Sequence, residues 1–227
     1  MENSSLVDCF RCDQIIIAWL KRTIVLKRAI MSKGRITKEY ILQQAFQLAS
    51  ENGLDSLTIG ELAKQCGMSK SGLFAHFNAR LNLQLSVLEY ANQVFTERVI
   101  APARRLGDGD IEQKIRQLLD NWMTWNHSFQ GSCMFLDAWN DVSSKECELQ
   151  NALRQSIGQW LDYLQIQVEK GIELGAFRAD LQAKQAVFEL YGLYLSAHVF
   201  YSIRGKQDSQ THFWLGVEKL LVSWRAL

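Results

Sequence analysis

Few residues of this 227-residue chain have the types and spacing needed for acid–base or metal chemistry. Four histidines fall on separate predicted helices, and no HExxH, GxSxG or glycine-rich phosphate loop accompanies them. Cys9 and Cys12 form one CxxC pair, but no second pair completes a tetrahedral zinc site. Five cysteines, an odd number without a secretion signal, favour reduced thiols over a disulfide framework. We therefore expect no enzyme, no metal site and no cofactor.

A second group of residues suits contact with DNA. Lys70, Ser71 and Gly72 begin a short predicted helix, where a basic side chain, a hydroxyl and a bare backbone can approach the major groove. Leu73 and Phe77 lie one turn apart on that helix, so we assign both to the core. The start of this helix is the predicted DNA-reading element.

Three predicted helices position this element. The first has Thr37 as its N-cap and stops at Gly53, and the second opens at Thr58 with a capping box. The second ends near Gly67, and Ser69 then caps the third. Two short helices joined by a tight glycine turn and braced by a longer one are typical of a helix-turn-helix.

Charge is distributed unevenly along the chain, although the net charge is only +1. Residues 33–80 hold six basic and four acidic residues, a net charge of +2, whereas residues 81–227 hold 14 basic and 17 acidic residues. This asymmetry indicates a DNA-reading domain over 33–80 and a body over 81–227 that binds something else. Residues 1–32 form an N-terminal extension, and a natural start at Met31 would make residues 1–30 non-native.

The body continues the helical periodicity. Breaks at glycine and serine predict helices near 81–104, 111–128, 133–142, 146–174, 182–204 and 209–225. Pro102 should kink or stop the first of these helices. With the three helices before them, they predict an all-α fold of about nine helices, and no apolar run is long enough to span a membrane.

The body is rich in aromatic residues, most of which we assign to the core. Some spacings place aromatic, hydroxyl and imidazole groups on shared helix faces, as a pocket for a small organic effector would require. The predicted pocket residues are Trp122, Trp125, Trp139, Tyr163, Tyr194 and His198. Cys133, at a predicted helix start, is either a buried inert thiol or a redox sensor. Broad apolar stripes over 182–204 and 209–225 predict dimerisation helices.

The segment TIGELAKQCGMSKSGLFAHF, residues 58–77, resembles the helix-turn-helix of TetR/AcrR-type bacterial transcriptional regulators. The resemblance implies an all-helical homodimer with an N-terminal DNA-binding domain and a C-terminal domain that dimerises and binds an effector. The family commonly has a tyrosine at the position of Phe74, a lysine at that of Arg80 and an acidic residue at that of Leu81. Carried over by position, the implied DNA-binding residues are Thr37, Thr58, Lys70, Ser71, Gly72, Phe74, His76 and Arg80.

The sequence thus predicts a cytoplasmic transcriptional regulator, a repressor in the usual pattern of the family. Its predicted partners are double-stranded operator DNA, a small organic effector that releases it, and a second copy of itself, with no membrane partner. The alternative is an all-α enzyme or partner-binding module with an incidental helix-turn-helix. Salt-dependent binding to promoter DNA distinguishes the two.

Overall fold

The computed structural model describes residues 33–127, 133–141 and 147–226, with the backbone alone at 33–37, 126–127 and 141. Across these residues the fold is all-α, and its extended pairing is a single antiparallel bridge between Phe177 and Arg225. The nine described helices are α1 (Lys33–Asn52), α2 (Ile59–Gln65), α3 (Lys70–Phe77), α4 (Arg80–Phe95), α5 (Ile111–His127), α6 (Met134–Asp141), α7 (Glu148–Glu173), α8 (Ala183–Arg204) and α9 (Lys206–Trp224). The predicted fold class is confirmed.

Helix α4 continues beyond its regular part. A π-helical turn (Thr96–Ile100) leads into a last α-helical turn (Ala101–Arg104) with helical backbone angles throughout. Pro102 lies two residues after the end of the π-helical turn and lacks the amide hydrogen that a regular helix would donate to the carbonyl four residues earlier. The helix is thus distorted near Pro102 and ends two residues beyond it, at Arg104.

Some predicted boundaries are wrong. Helix α1 begins at Lys33, so Thr37 lies inside the helix and is not its N-cap, and the side chain of Thr37 is outside the described residues. Helix α9 begins at Lys206, three residues before its predicted start, because Gly205 alone makes the turn with a φ of 88°. Residues 1–32, including Cys9 and Cys12, lie outside the described part of the chain.

The described residues from Ile41 onward belong to one compact unit, and those up to Tyr40 belong to another. The ring of Phe46 on α1 packs 5.8 Å from the rings of both Tyr90 on α4 and Trp125 on α5. Helices of the helix-turn-helix and of the body therefore share aromatic contacts. The domain boundary between residues 80 and 81 stays a prediction.

Ion pairs connect α5 to the end of the chain. Arg225 Nη2 lies 2.7 Å from Glu112 Oε1, and Arg116 Nη2 lies 2.8 Å from the same oxygen. Arg116 also pairs with Glu218 on α9. Hydrogen bonds from Arg225, and then from Arg116, lower the pKa of Glu112 to about 2 although partial burial opposes them. Glu112 thereby holds α5 against the chain beyond α9.

None of the described helices combines the length and the apolar content that crossing a lipid bilayer requires.

Candidate DNA-binding surface and effector cavity

The turn between α2 and α3 has the geometry that the sequence predicts. Gly67 adopts a φ of 63°, a left-handed conformation that glycine reaches without steric cost. The amide of Met68 then donates to the carbonyl of Ala63 at 2.9 Å. Leu62 and Ala63 are fully buried beneath the turn. This short connection fixes the start of α3 relative to α2.

Both short helices begin with the predicted side-chain caps. Thr58 Oγ1 accepts a hydrogen bond of 3.2 Å from the amide of Glu61, and Ser69 Oγ accepts one of 3.1 Å from the amide of Gly72. Each cap satisfies a backbone donor that has no partner within its helix. The start of α3 is consequently ordered although it faces solvent.

Helix α3 presents one buried and one exposed face. Leu73 and Phe77 are buried in the core, as the sequence predicts. Lys70 and Ser71 are exposed, and Phe74, one turn beyond Lys70, is half exposed. Of the other predicted DNA-binding residues, Thr58 is exposed at the start of α2, whereas Gly72 and His76 are partly exposed on α3. Whether they contact DNA stays a prediction.

Lys70 crosses the start of α2 at a glycine. A β-carbon on Gly60 would lie 3.2 Å from Cε and 3.5 Å from Nζ of Lys70, which is tighter than most such contacts. The bare backbone of Gly60 therefore leaves room for the aliphatic part of the Lys70 side chain. The side chain of exposed Lys70 therefore lies beside the start of α2, on the surface predicted to face DNA.

Arg80 is engaged within the protein. Its Nε donates to the carbonyl of Leu57 at 3.2 Å, and its Nη2 pairs with Asp55 Oδ1 at 3.0 Å and with the carbonyl of Asp55. The buried amide of Gln84 adds a 3.1 Å bond to the carbonyl of Leu54. The start of α4 is thereby tied to the loop that leads into α2. A structural role for Arg80 is evident, and its predicted DNA contact is untested.

A cavity opens between α4, α5, α6, α7 and α8. It encloses about 410 Å³ of empty space, part of which is open to solvent. Its lining is mostly aromatic or aliphatic, and its polar groups are one amide, three hydroxyls, two indole N–H groups and one thiol. The lining residues are Asn92, Phe95, Trp122, Cys133, Phe135, Leu136, Ser156, Ile157, Trp160, Tyr191 and Tyr194.

The polar groups of the lining are unequally satisfied. Asn92 Nδ2 donates to Ser156 Oγ at 2.8 Å, and Ser156 Oγ donates to the carbonyl of Ala152 at 2.9 Å. Trp160 Nε1 is buried with no acceptor among the described residues. The buried hydroxyl of Tyr194 has no described oxygen or nitrogen partner and interacts with the thiol of Cys133.

Burial keeps the ionisable groups of the lining neutral. Desolvation raises the pKa of the Cys133 thiol, although a hydrogen bond with Tyr194 acts in the opposite direction. Desolvation also raises the pKa of Tyr191 to about 12 and that of Tyr194 well above its ordinary value. A neutral buried thiol is a poor nucleophile, which favours the inert interpretation of Cys133.

Two of the six predicted pocket residues, Trp122 and Tyr194, line this cavity, with their rings stacked at a centroid distance of 3.6 Å. The other four lie outside the lining. Tyr163 stacks on Trp160 at 6.2 Å, and Trp125 packs edge-to-face with Phe95 at 5.5 Å.

The remaining two predicted pocket residues lie on α6 and α8. Trp139 is partly exposed on α6. His198 Nε2 lies 3.6 Å from Asp137 Oδ1, while its Nδ1 is buried without a described partner.

Sequence reasoning missed most of the lining. Asn92 and Phe95 come from α4, to which the sequence assigned no effector-pocket residue, and Ser156 and Ile157 come from one face of α7. The sequence signal for the lining was the high aromatic content of the body. Trp160 and Tyr191 belong to that aromatic set, but nothing in the sequence distinguishes them from aromatic residues of the core. Among the described residues, no three His, Cys, Asp or Glu side chains lie together in a group that could hold a metal ion.

Two family models match the chain. The model described as bacterial regulatory proteins, tetR family, covers residues 41–84, and the model of the tetracyclin repressor-like C-terminal domain covers residues 112–216. The first match contains the helix-turn-helix, and the second contains most cavity-lining residues of α5 to α8.

Two relatives found by sequence agree with these models. The chain is 21% identical over 174 residues to the HTH-type transcriptional regulator AcrR of Shigella flexneri, which covers 74% of this chain and 79% of that protein. It is 38% identical over 53 residues to the uncharacterized HTH-type transcriptional regulator YerO of Bacillus subtilis, spanning 23% of this chain and only 18% of that protein.

A crystal structure of a TetR-family transcriptional regulator from Cytophaga hutchinsonii superimposes with a TM-score of 0.72 at 18% identity. The superposition covers 88% of this chain and all of that one, and it shows a shared fold. The helix-turn-helix geometry, the two family models and this fold lead to one conclusion: the chain belongs to the TetR/AcrR family of bacterial transcriptional regulators.

Proposed function

We propose that this protein represses transcription by binding operator DNA through the start of α3, and that an effector in the cavity releases it. The observation that carries the proposal is the exposed pair Lys70 and Ser71 on a capped helix whose opposite face is buried. A rigid element with a basic exposed start suits insertion into the major groove. The site of action of such a regulator is the bacterial cytoplasm, where its DNA lies.

Binding to the DNA beside its own gene tests this proposal. We expect the full chain to retard that DNA with an affinity that falls steeply as salt rises, because lysine–phosphate contacts release counterions. Replacing Lys70 with alanine should weaken binding at least about tenfold. Arg154→Ala removes one positive charge from an exposed site on α7, away from the proposed DNA-binding surface, and should bind as the wild type does. Equal affinities for all three proteins would refute the assignment of α3.

We also propose that α8 and α9 form the interface of a homodimer. Phe188 and Ile203 on α8 are about 70% exposed, and Leu195 and Val199 lie between them on the same helix at intervals of seven, four and four residues. Val222 adds an exposed apolar side chain on α9. An apolar stripe of this kind on two adjacent helices is typical of a subunit interface. A twofold dimer would present two α3 helices to a near-palindromic operator.

Sedimentation of charged variants tests the dimer. Ile203→Glu places a carboxylate in the stripe and should yield a folded monomer with weakened DNA binding. Leu174→Glu makes the same change at an exposed leucine at the end of α7 and should remain dimeric. A wild-type protein that sediments as a monomer at micromolar concentration would refute the interface.

Helix α4 provides the physical connection between effector and DNA. Its first residue, Arg80, is bonded to the loop before α2, and two residues near its other end, Asn92 and Phe95, line the cavity. A ligand that displaces Phe95 would shift α4, and the bonds of Arg80 would carry that shift to the helix-turn-helix. Effector binding therefore changes the population of DNA-competent dimers.

A further inference from the structure

The walls of the cavity are dominated by aromatic rings. Six of its eleven lining residues are aromatic. The indole of Trp160 makes edge contacts with Phe95 at 5.1 Å and with Trp122 at 5.2 Å, while Tyr191 stacks on Trp122 at 5.8 Å. Aromatic rings associate most favourably with other aromatic rings in offset or edge geometry. A flat aromatic guest matches these walls better than a branched or saturated one.

No lining residue carries a charge that could balance a charged guest. Cys133, Tyr191 and Tyr194 are kept neutral because burial raises their pKa values. The nearby carboxylate of Asp137 acts on Cys133 and Tyr194 and would repel an anion. The same carboxylate would attract a cation, but Asp137 lies outside the lining and sits 3.6 Å from His198 Nε2. A cation could also use the faces of the aromatic rings, but Tyr194 already covers one face of Trp122 at 3.6 Å. Burial of an unpaired charge is unfavourable, so the walls suit an uncharged guest.

One hydrogen-bond donor in the lining has no described acceptor, and a second has only a weak one. Nε1 of Trp160 can only donate, and it is buried without a described acceptor. The Tyr194 side chain is 1% exposed, and the one described partner of its hydroxyl is the sulfur of Cys133, a weak acceptor. Buried donors are costly when unsatisfied, and a carbonyl, nitro or similar oxygen on a guest would satisfy them.

We infer that the effector is an uncharged, flat aromatic molecule that carries a hydrogen-bond acceptor. This inference rests on the proposed function, since it takes the cavity as the effector site. Trp160 and Tyr194 are the positioning donors, and the rings of Phe95, Trp122 and Tyr191 form the walls around the aromatic part. Recognition is non-covalent, because the Cys133 thiol in the lining stays protonated.

Four naphthalene probes test the hydrogen-bond acceptor and the charge of the ligand separately. 2-Acetylnaphthalene has the ring and the acceptor, 2-ethylnaphthalene lacks the acceptor, 2-naphthoate is an anion, and 2-naphthyltrimethylammonium is a cation. Binding to the full chain without DNA is measured by titration calorimetry and by tryptophan fluorescence. We expect the acetyl compound to bind at least about fivefold more tightly than each of the others. Tighter binding of either charged probe, or a dissociation constant above about 1 mM for all four, would overturn the inference.

Conservative variants test the donors. Trp160→Phe and Tyr194→Phe should each weaken 2-acetylnaphthalene binding about three- to tenfold and leave 2-ethylnaphthalene nearly unchanged, because only the acceptor loses a partner. Either variant suffices if the other fails to fold. Trp139→Phe is the matched control, since Trp139 lies outside the lining. Unchanged preference for the acetyl compound in both donor variants would refute their role.

Failure of this inference can be distinguished from failure of the proposed function. A chain that binds operator DNA but prefers 2-naphthoate retains its function and refutes the ligand class. A chain that binds 2-acetylnaphthalene through Trp160 but no DNA retains the ligand class and refutes the regulator. Release of bound DNA by the acetyl compound, with wild-type affinity of the Trp139→Phe control, supports both.

Discussion

Replacement of Arg80 by alanine should reduce both stability and DNA binding, whereas replacement of Lys70 should reduce DNA binding alone. Arg80 bonds to the carbonyls of Leu57 and Asp55 and to the Asp55 carboxylate, but its side chain is 49% exposed. An exposed ion pair contributes at most about 1 kcal/mol, and each carbonyl bond contributes about 0.5–1.5 kcal/mol when fully buried. Discounted for solvent, the expected loss is about 1–2 kcal/mol.

Urea unfolding and DNA retardation of the same preparations test this difference. For a chain of this size, the loss for Arg80→Ala corresponds to a fall in Tm of about 2–8 °C. Asp55→Asn removes only the ion pair and should lower the free energy of unfolding by less than about 1 kcal/mol. Lys70→Ala should change it by less than about 0.5 kcal/mol, because Lys70 is exposed. Wild-type stability of Arg80→Ala would show that its guanidinium does not hold the loop before α2.

Three further predictions concern the body of the protein. Gly171→Ala should destabilise the chain by about 1–3 kcal/mol, because its β-carbon would overlap the buried ring of Phe177. Gly158→Ala on the same helix meets nothing within 4 Å and should stabilise the chain by up to about 1 kcal/mol. Equal effects of the two variants in urea unfolding would contradict this packing. The lowered pKa of Glu112 stabilises the folded chain above about pH 4.5, and this contribution disappears as the pH falls towards 2. Glu112→Gln should therefore reduce the loss of unfolding free energy between these two pH values. An unaltered dependence of stability on pH would show that the two arginine pairs of Glu112 do not contribute to that loss. Cys133 is buried and Cys147 exposed, so mass spectrometry after brief alkylation should find Cys147 labelled first, and faster labelling of Cys133 would revive its redox role.

The helix-turn-helix was predictable because its signals are local. Thr58 and Ser69 cap the helices that directly follow them, and Gly67 makes the turn, so neighbouring residues alone determine these features. The start of α1 was not predictable in the same way. Thr37 is a good capping residue, but the helix extends past it to Lys33, since a favourable cap does not oblige a helix to begin there.

The cavity was predicted as a kind of site but not as a set of residues. Trp122 and Trp125 share one face of α5 by spacing, yet Trp122 stacks on Tyr194 of α8 and Trp125 packs against Phe95 of α4. Side chains three residues apart point about 60° apart around a helix axis, so the two rings meet different neighbours. Such contacts between distant parts of the chain depend on tertiary packing, which periodicity in one helix does not contain.

Sequence-specific DNA binding is best tested by selecting bound duplexes from a random DNA library with the full chain. We predict enrichment of a near-palindromic sequence with two half-sites, bound in a salt-dependent manner and at least about tenfold more weakly by the Lys70→Ala variant. A library that emerges unenriched, or an enriched sequence that Lys70→Ala binds as tightly as the wild type, would contradict the account.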